Sequence, residues 1–337
     1  MIKENYLSYG EIHTQYDSLK QTVDYMEARQ NETADFFKGN NDIVFLACGS
    51  SYWMSLSAHM SMRIKTGRRC YAVKAGDIVL CGEEYAGCFN DPVFICPSRS
   101  GRTGEVLKAI SILKKEYPAA RILSITGCEN SPLVEMSNLV LPLPWSKEES
   151  VCQTKSFSNL YLASVLLAET LSGSEKLFNE ARRFLKNAPE IYAAGEKKFA
   201  AAAEKKPNSI VCLGSGSLYG VCIEGAYIVI EAAEFNANYY HLMEYRHGPI
   251  VTANSNTVVF MLSMRGDDMY EKQLEADVKK TGAVIYSVSD FNLDNAYSKE
   301  FAALHYIFCL QSFAFHLSLK LGNNPDSPGS LSPYITI

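Results

Sequence analysis

Short, almost wholly apolar runs alternate along this chain with longer runs in which apolar residues recur every three or four positions. The short runs are typical of strands buried on both faces, and the longer runs are typical of helices with one buried face. This alternation predicts an α/β fold built on doubly wound parallel sheet. We predict strands at residues 43–48, 70–73, 92–96, 121–126, 139–143, 235–239, 257–262 and 284–288, a further strand starting at 210, and helices at 9–37, 53–64, 106–113, 154–171, 175–205 and 306–321.

Part of this pattern is repeated. Residues 210–219 align without gaps with residues 43–52, and six of the ten positions are identical. Both windows stand where a predicted strand passes through a turn into a helix, which indicates an internal duplication. We therefore expect two tandem doubly wound parallel-sheet units. The expected division is an N-terminal helical segment at 1–40, a first unit at 41–172, a helical connector at 173–208 and a second unit at 209–337.

Hydroxyl groups are concentrated where two strands of the first unit end. Gly49, Ser50 and Ser51 follow the strand at 43–48, and Ser98, Ser100 and Thr103 surround a glycine after the strand at 92–96. Each group precedes a predicted helix, whose first N–H groups and positive dipole end favour an anion. Loops that leave the carboxyl ends of parallel strands gather at one edge, so both groups can converge on one phosphate.

The second of these loops also contains Arg99 and Arg102, either of which can add positive charge. The Gly-Lys-Ser/Thr ending of the common nucleotide loop is missing, which excludes that type of site. The alternative interpretation is an ordinary helix N-cap followed by a turn. No segment after Leu262 repeats the hydroxyl pattern, so we expect the second unit to contribute something other than phosphate binding.

Candidate acid–base residues occur in the second unit. Glu224 and Glu231 are seven positions apart and share one face of an otherwise apolar helix, where carboxylates are costly unless paired or functional. His247 precedes Gly-Pro, a rigid turn that fixes the direction of its ring. A carboxylate and a histidine can together move a proton next to a carbonyl group. In the alternative interpretation, Glu231 pairs with a basic neighbour and His247 caps a helix.

Composition narrows the possible functions. The chain has 337 residues, a net charge of −5 and no long basic run, which argues against nucleic acid as a partner. No stretch approaches eighteen consecutive apolar residues and no apolar signal core begins the chain, so we expect neither a membrane span nor a secretory signal. The ten cysteines include no C-x-x-C pair and no spacing typical of zinc, which favours a reduced, cytoplasmic protein.

Several motifs together resemble a known family. The segments ACGSSY, SRSGRTGE, VCQTKSF, IEGAYIVIEAAEF and EYRHGP are similar to those of the double sugar-isomerase (SIS) domain family, whose two units are flavodoxin-like. The similarity is greatest to the isomerase half of the glutamine–fructose-6-phosphate aminotransferases, the fructosamine-6-phosphate deglycases and the tagatose-6-phosphate ketose/aldose isomerase type. It extends from about residue 11 to the last residue.

The resemblance implies roles for individual residues. Glu231 corresponds to the carboxylate that moves a proton between the first two sugar carbons. His247 corresponds to the histidine that acts in ring opening or leaving-group protonation and that reaches the site from the partner subunit, which implies a homodimer. No metal or redox cofactor is implied. The implied phosphate ligands are Ser50, Ser51, Ser98, Ser100 and Thr103 with Arg99 in place of a common Gln, and the further substrate-binding candidates are Gly49, Val151, Lys155 and Glu224.

Departures from the family pattern point away from aminotransfer. This sequence carries no glutaminase domain, and the synthase lysines that would be expected near the end and on the Glu224 helix are replaced by Ser332-Pro333-Tyr334 and by Ile228. Without those amines, Schiff-base catalysis of that design is unavailable. We expect aldose–ketose isomerisation of a sugar 6-phosphate, or of an amino-sugar or fructosamine 6-phosphate, with release of ammonia or an amino acid where the substrate carries nitrogen. The alternative is a phosphosugar-binding regulatory protein without catalysis.

Overall fold

A computed structural model of the protein describes residues 5–40, 42–205, 207–263, 268–287, 290–291, 293, 297–329 and 331–337. These residues group into two compact units. Unit 1 comprises Met1–Thr14, Glu149–Thr154 and Phe184–Leu331, and so contains most of the second of the two units expected from the sequence. Unit 2 comprises Gln15–Glu148, Lys155–Arg183 and Ser332–Ile337, and so contains most of the first.

All strand pairs in the described residues are parallel. In unit 2 the strands form a five-stranded sheet, sheet A, in the order β2-β1-β3-β4-β5, and in unit 1 they form a four-stranded sheet, sheet B, in the order β7-β6-β8-β9. The strands are β1 (Asp42–Ala47), β2 (Arg69–Lys74), β3 (Pro92–Ser98), β4 (Arg121–Thr126), β5 (Leu139–Pro142), β6 (Ser209–Gly214), β7 (Ala237–His241), β8 (Thr257–Met261) and β9 (Val284–Tyr286).

α-Helices connect most successive strands, as is usual for parallel pairing, whereas β7 and β8 are connected through the 3₁₀ turns Glu244–His247 and Pro249–Thr252. The α-helices in the described residues are α1 (Leu7–His13), α2 (Gln15–Ala28), α3 (Gln30–Phe36), α4 (Gly49–Thr66), α5 (Ala75–Cys81), α6 (Gly104–Glu116), α7 (Pro132–Met136), α8 (Lys155–Ser172), α9 (Lys176–Ala203), α10 (Tyr219–Ala233), α11 (Met269–Lys280) and α12 (Lys299–Leu321).

The central strands of each sheet lie in the core of its unit. Every residue of β1 and β3 is buried, which is why these strands read as continuous apolar runs. Helix α8 packs against α2 and α4 in unit 2, and α10 packs against α12 in unit 1. Each sheet is therefore placed between layers of helices that bury its central strands.

Two stretches have the length and apolar composition of a membrane-spanning helix, namely Gly216–Ala233 and Lys299–Leu321. Their residues are 72% and 89% buried within the protein. Both stretches belong to unit 1, where they pack against each other. Their composition is that of helices that form the core of a folded unit.

The predicted fold class is confirmed, since both sheets have the same order of their first four strands. The duplicated windows also match in backbone conformation, because the aligned Gly49 and Gly216 have φ angles of +53° and +60°. Positive φ is the conformation that glycine adopts without strain. The two copies therefore share the turn as well as the sequence.

Some predicted elements differ from the structure. The single helix expected at 9–37 consists of three helices, with breaks at Thr14 and Arg29. The Thr14 hydroxyl donates to the carbonyl of Gly10, and such local bonds compete with helix continuation. The strand expected at 235–239 lies at Ala237–His241, α12 starts seven residues before the predicted helix, and α5, α7 and α11 were not predicted. Residue 288, at the end of one predicted strand, is outside the described residues.

Candidate active site

The two hydroxyl-rich loops leave neighbouring strands at the same edge of sheet A. Strand β1 pairs with β3 on one side and with β2 on the other, so the order of the strands reverses between β1 and β3. In open α/β sheets such a switch point forms a crevice at the carboxyl ends of the strands, where ligands bind. The loops that begin at Cys48 and at Arg99 both start at this crevice.

The first loop places two serines in the first turn of α4. This helix starts at Gly49, and Cys48 before it makes no side-chain cap. Ser50 and Ser51 follow with exposed fractions of 7% and 5%. The first turn of a helix has backbone N–H groups without helical acceptors. The first turn of α4 thus combines two nearly buried hydroxyls with those N–H groups, which is the donor set of a candidate anion site.

The second loop is held in a compact turn by its own hydroxyls. The hydroxyl oxygen of Ser98 accepts from the N–H of Gly101 at 3.0 Å, and that of Ser100 accepts from the N–H of Arg102 at 3.1 Å. Each hydroxyl keeps its own hydrogen for donation. Thr103 occupies the N-cap position of α6 but makes no side-chain cap bond. The loop therefore presents hydroxyl donors next to a helix start that no side chain caps.

Glycine is required in this second loop. Gly101 has a φ of +62°, and a Cβ atom at this position would lie 2.1 Å from the Ser131 hydroxyl oxygen. The loop is thus packed directly against the segment that follows β4. Its close approach allows the chain to turn between Ser98 and Thr103 without a side chain in the way.

Arg99 is already engaged in unit 2. Its Nη1 lies 3.2 Å from an oxygen of Glu148, whose side chain is fully buried, and its Nη2 donates to the carbonyl of Pro333 at 2.7 Å. The N–H of Gly104, at the start of α6, donates to the carbonyl of Ile335 at 2.9 Å. The residues 332–337, which we call the tail segment, therefore lie on the hydroxyl loop.

The two candidates from the segment before α8 fall in different units. Val151 belongs to unit 1, where its N–H donates to the carbonyl of Asp326 at 3.0 Å. Lys155 is the first residue of α8 in unit 2, and its carbonyl accepts from Asn159. Both side chains are half-buried.

In unit 1, α10 carries the two candidate carboxylates. Glu224 is 1% exposed, whereas Glu231, two turns later, is half-buried near the end of the helix. Tyr227 lies between them, and its pKa is raised, first by burial and then by the charges of Tyr239, Glu231 and Glu224. The neighbourhood of this face is therefore acidic and partly shielded from water, which suits proton transfer.

His247 ends a short 3₁₀ turn, Glu244–His247, and is exposed. Tyr245 anchors the turn in the core of unit 1, and Arg246 forms an ion pair with Asp277 of α11 at 2.9 Å. Gly248 follows with a φ of +140°, and Pro249 comes next. The contacts of Tyr245 and Arg246 hold the turn that carries the exposed His247.

Unit 1 has its own switch point, between β6 and β8, and a cavity of about 530 Å³ lies there. Its polar lining differs from the loops of sheet A. Asp268 caps α11 by accepting from the N–H groups of Tyr270 and Glu271, and the Ser263 hydroxyl donates to Glu271. The remaining polar lining includes Ser215 and Lys299. Among the described residues no group of His, Cys, Asp and Glu is arranged to hold a metal ion.

Comparison with known families decides the relationship. The SIS domain model matches residues 36–170 and 205–312, which together are most of the chain. The chain belongs to the SIS domain family. The first SIS domain contains sheet A and both hydroxyl-rich loops, and the second contains α10 and the turn that carries His247. The predicted family and its duplication are confirmed.

The curated relatives of this SIS protein include longer enzymes. The chain is 26% identical over 317 residues to glutamine–fructose-6-phosphate aminotransferase of Campylobacter jejuni, with 88% of this chain and 52% of the relative covered. The enzyme of the same name from Pyrobaculum aerophilum is 27% identical over 354 residues, with 97% and 57% covered. The chain thus spans about half the length of the curated relatives it matches.

Solved structures of similar length also match this SIS protein. Glucosamine-6-phosphate deaminase from Thermotoga maritima has a TM-score of 0.80 and 28% identity, with 94% of this chain and 99% of that chain covered. Tagatose-6-phosphate ketose/aldose isomerase from Escherichia coli has a TM-score of 0.81 and 21% identity, with 97% and 96% covered. The second match is a likeness of fold.

Sequence reasoning did not identify every residue at these SIS sites. It missed Glu148, the partner of Arg99, since neither periodicity nor a motif marks that position. It also missed the N–H of Gly104 and the Asp268 cap at the second switch point. An Asp directly before a run with apolar residues at positions 274 and 278 is a recognisable N-cap signal and was available in the sequence.

Proposed function

We propose that this SIS protein is an enzyme of the phosphosugar isomerase or deaminase type. The substrate class is a sugar 6-phosphate, an amino-sugar 6-phosphate or a fructosamine 6-phosphate. The reaction is aldose–ketose isomerisation, accompanied by release of ammonia or an amino acid where the substrate carries nitrogen. The domain division at residues 41–172 and 209–337 and a cytoplasmic location belong to the same proposal.

One observation carries the proposal: two hydroxyl-rich loops leave the adjacent parallel strands β1 and β3 at the switch point of sheet A, and each leads into a helix start without a side-chain cap. We assign the phosphate to this crevice, where its charge gains from the N–H groups and dipoles of α4 and α6. Binding energy from the remote phosphate then holds the reacting carbons in place. The assigned ligands are the hydroxyls of Ser50, Ser51, Ser98, Ser100 and Thr103.

We assign proton transfer to Glu231 and His247. Glu231 removes the proton from C2 of the open-chain aldose while the carbonyl oxygen at C1 gains a proton, which gives an enediol. Return of a proton to C1, with loss of the proton from the C2 hydroxyl, gives the ketose. For an amino sugar the same steps give an iminium group at C2, to which water adds before ammonia leaves. His247 protonates the ring oxygen or the leaving amine.

A homodimer that shares its active sites is part of the proposal. Apolar side chains are exposed near both acid–base residues: Ile230 precedes Glu231 and is 40% exposed, and Val251 follows His247 by four positions and is 83% exposed. Exposed apolar residues around a functional turn support coverage by a second copy of the chain. In that arrangement the partner copy supplies His247.

The protons on C1 of a ketose substrate and on C2 of an aldose substrate provide the direct test. The protein is incubated in deuterated water with fructose 6-phosphate, glucosamine 6-phosphate or a fructosamine 6-phosphate, and exchange at C1 and C2 is followed by NMR together with assays for ammonia and amino acid. Exchange with at least one substrate supports the enzyme. Binding of a phosphosugar without any exchange favours the regulatory alternative.

Glu231→Gln identifies the base. The amide cannot accept the proton, so we expect turnover and C2 exchange to fall by about 10² to 10⁴, with the affinity for phosphosugar nearly unchanged. Glu275→Gln is the matched control, since Glu275 lies on a different helix, α11, where it pairs with Lys279. Equal losses of affinity and turnover in Glu231→Gln would assign Glu231 to binding instead.

A further inference from the structure

The tail segment takes a hydrogen-bond donor that an anion would use. The N–H of Gly104 at the start of α6 donates to the carbonyl of Ile335, and Nη2 of Arg99 donates to the carbonyl of Pro333. A Cβ atom on Gly104 would lie 2.7 Å from the backbone nitrogen of Ile337, so the tail backbone touches the helix start. The tail therefore covers part of the helix end to which we assign the phosphate.

The tail is attached by its backbone and not by burial of its side chains. Tyr334, Ile335 and Ile337 are 42%, 59% and 71% exposed. Apolar burial is the main favourable contribution to docking of a chain segment, and here little of it is used. Because little apolar surface is buried in docking the segment, a ligand of ordinary affinity can displace it.

Arg99, which donates to the tail carbonyl of Pro333, is itself firmly held. Glu148, whose side chain is fully buried, pairs with Arg99 and also accepts from the N–H of Ser156 at 3.1 Å and from the Ser156 hydroxyl. These contacts fix the Arg99 guanidinium at the edge of the hydroxyl loop. Its charge is balanced by Glu148, and its outer nitrogen faces the tail carbonyl of Pro333.

We propose that the tail segment is an intramolecular competitor of the phosphate, with Arg99 as the residue that positions it; this inference rests on the phosphate site of the proposed function. The Gly104 N–H has one hydrogen and serves either the Ile335 carbonyl or a phosphate oxygen. Carbonyl oxygens carry partial negative charge and repel an adjacent anion. Phosphate binding therefore releases the tail and frees Arg99 Nη2 from Pro333.

Competition of this kind lowers the apparent affinity for phosphate by the fraction of molecules with the tail undocked. A chain that ends after Leu331 lacks the competitor and keeps every hydroxyl of the loop. We expect isothermal titration to show that it binds inorganic phosphate about three- to tenfold more tightly than the full chain. Fructose 6-phosphate is titrated in parallel to compare a sugar phosphate with the free ion.

Gly104→Ala separates the tail from the loop without shortening the chain. Its Cβ would also approach the Ile337 side chain to 2.8 Å, which forces the tail away while the N–H remains. We expect this variant to gain phosphate affinity in the direction of the shortened chain. Gly76→Ala is the matched control, because a Cβ on that helical glycine meets no atom within 4 Å.

Cleavage by chymotrypsin after Tyr334 reports the position of the tail in the unmodified protein. Inorganic phosphate at saturating concentration should increase the rate of this cleavage several-fold, measured by mass spectrometry, while cleavage elsewhere stays constant. Arg99→Gln should increase it without phosphate, since the bond from Arg99 to the Pro333 carbonyl is lost.

The outcomes distinguish this inference from the proposed function. Equal or weaker phosphate binding by the shortened chain overturns the competition and leaves the phosphate site intact. Cleavage that slows on addition of phosphate means that the tail closes over the anion, which also overturns it. Absence of phosphate and phosphosugar binding in every variant removes the phosphate site itself, and the inference falls with it.

Discussion

At the switch point of sheet A, the helix that follows β3 begins at a threonine that makes no side-chain cap, whereas at that of sheet B the helix that follows β8 begins at a carboxylate that caps it. Thr103 leaves the first N–H groups of α6 to other acceptors, and one of them binds the Ile335 carbonyl. Asp268 satisfies the N–H groups of Tyr270 and Glu271, the second and third residues of α11, with its own oxygen. The second helix start therefore already holds an anion that belongs to the protein.

This difference shows how one fold supports two chemistries after duplication. The strand order and the turn glycines at 49 and 216 are retained, and they preserve the crevice. The residue at the N-cap decides whether the crevice is open to an external anion. In the proposed function, phosphate affinity follows from a few side chains at a helix start, and the sheet only brings them together.

The pKa of Cys48 tests whether burial or the helix dipole dominates at the switch point of sheet A. A thiol at a helix N-terminus usually has a lowered pKa. Here burial, and next the charge of Glu105, raise the pKa of Cys48 from its ordinary value near 9 to about 11. We expect the rate of alkylation by iodoacetamide to rise about a hundredfold between pH 8 and pH 10, against about tenfold for a thiol with a pKa of 9.

Peptide mass spectrometry measures this rate for Cys48, with the exposed Cys88 as the internal reference. The ratio of rates at two pH values removes the effect of steric access, which does not depend on pH. Glu105→Gln should lower the pKa of Cys48, since it removes a negative charge. A rate that reaches its plateau below pH 9 would mean that the helix dipole outweighs burial at this crevice.

Gly101 at the switch point of sheet A and Gly216 at that of sheet B provide the next largest expected difference in phosphate affinity. Gly101→Ala places a Cβ against Ser131 and also strains the backbone, so we expect more than about tenfold loss of phosphate affinity and a destabilisation of about 1–3 kcal/mol. Gly216→Ala has a similar φ but meets no atom within 4 Å, so only the backbone strain remains. Titration calorimetry and urea unfolding measure both quantities. Equal losses of phosphate affinity in the two variants would place the anion elsewhere.

Features that depend on residues close together in the chain could be predicted from the sequence, whereas features that depend on residues far apart could not. The strand at 121–126 was predicted at its observed bounds, and the others mostly within two residues, because buried parallel strands consist of apolar runs. The placement of the loops with Ser50 and Ser98 at one edge of sheet A followed from the geometry of parallel strand ends. Both inferences need only local composition and a general rule about sheets.

Other features could not be derived in this way. Helix α11 was missed because only Leu274 and Val278 are buried along it, which leaves a weak periodic signal. The contact between Arg99 and Pro333 joins residues 234 positions apart, and no local pattern specifies such a pair. Tertiary contacts between distant polar groups are visible only once the chain is folded.

The N-caps themselves provide the finest test of the comparison. Asp268→Ala removes the oxygen that accepts from Tyr270 and Glu271, so we expect the free energy of unfolding to fall by about 1 kcal/mol with no change in phosphate affinity. Asp268→Asn, which keeps an acceptor oxygen, should restore most of this loss.

Thr103→Ala removes no cap bond and should change the free energy of unfolding by less than about 0.5 kcal/mol, yet weaken phosphate binding. Urea unfolding with parallel phosphate titration measures both effects. If Thr103→Ala destabilised the protein as much as Asp268→Ala, Thr103 would be a structural cap, and the two switch points would not differ in the way that their helix starts indicate.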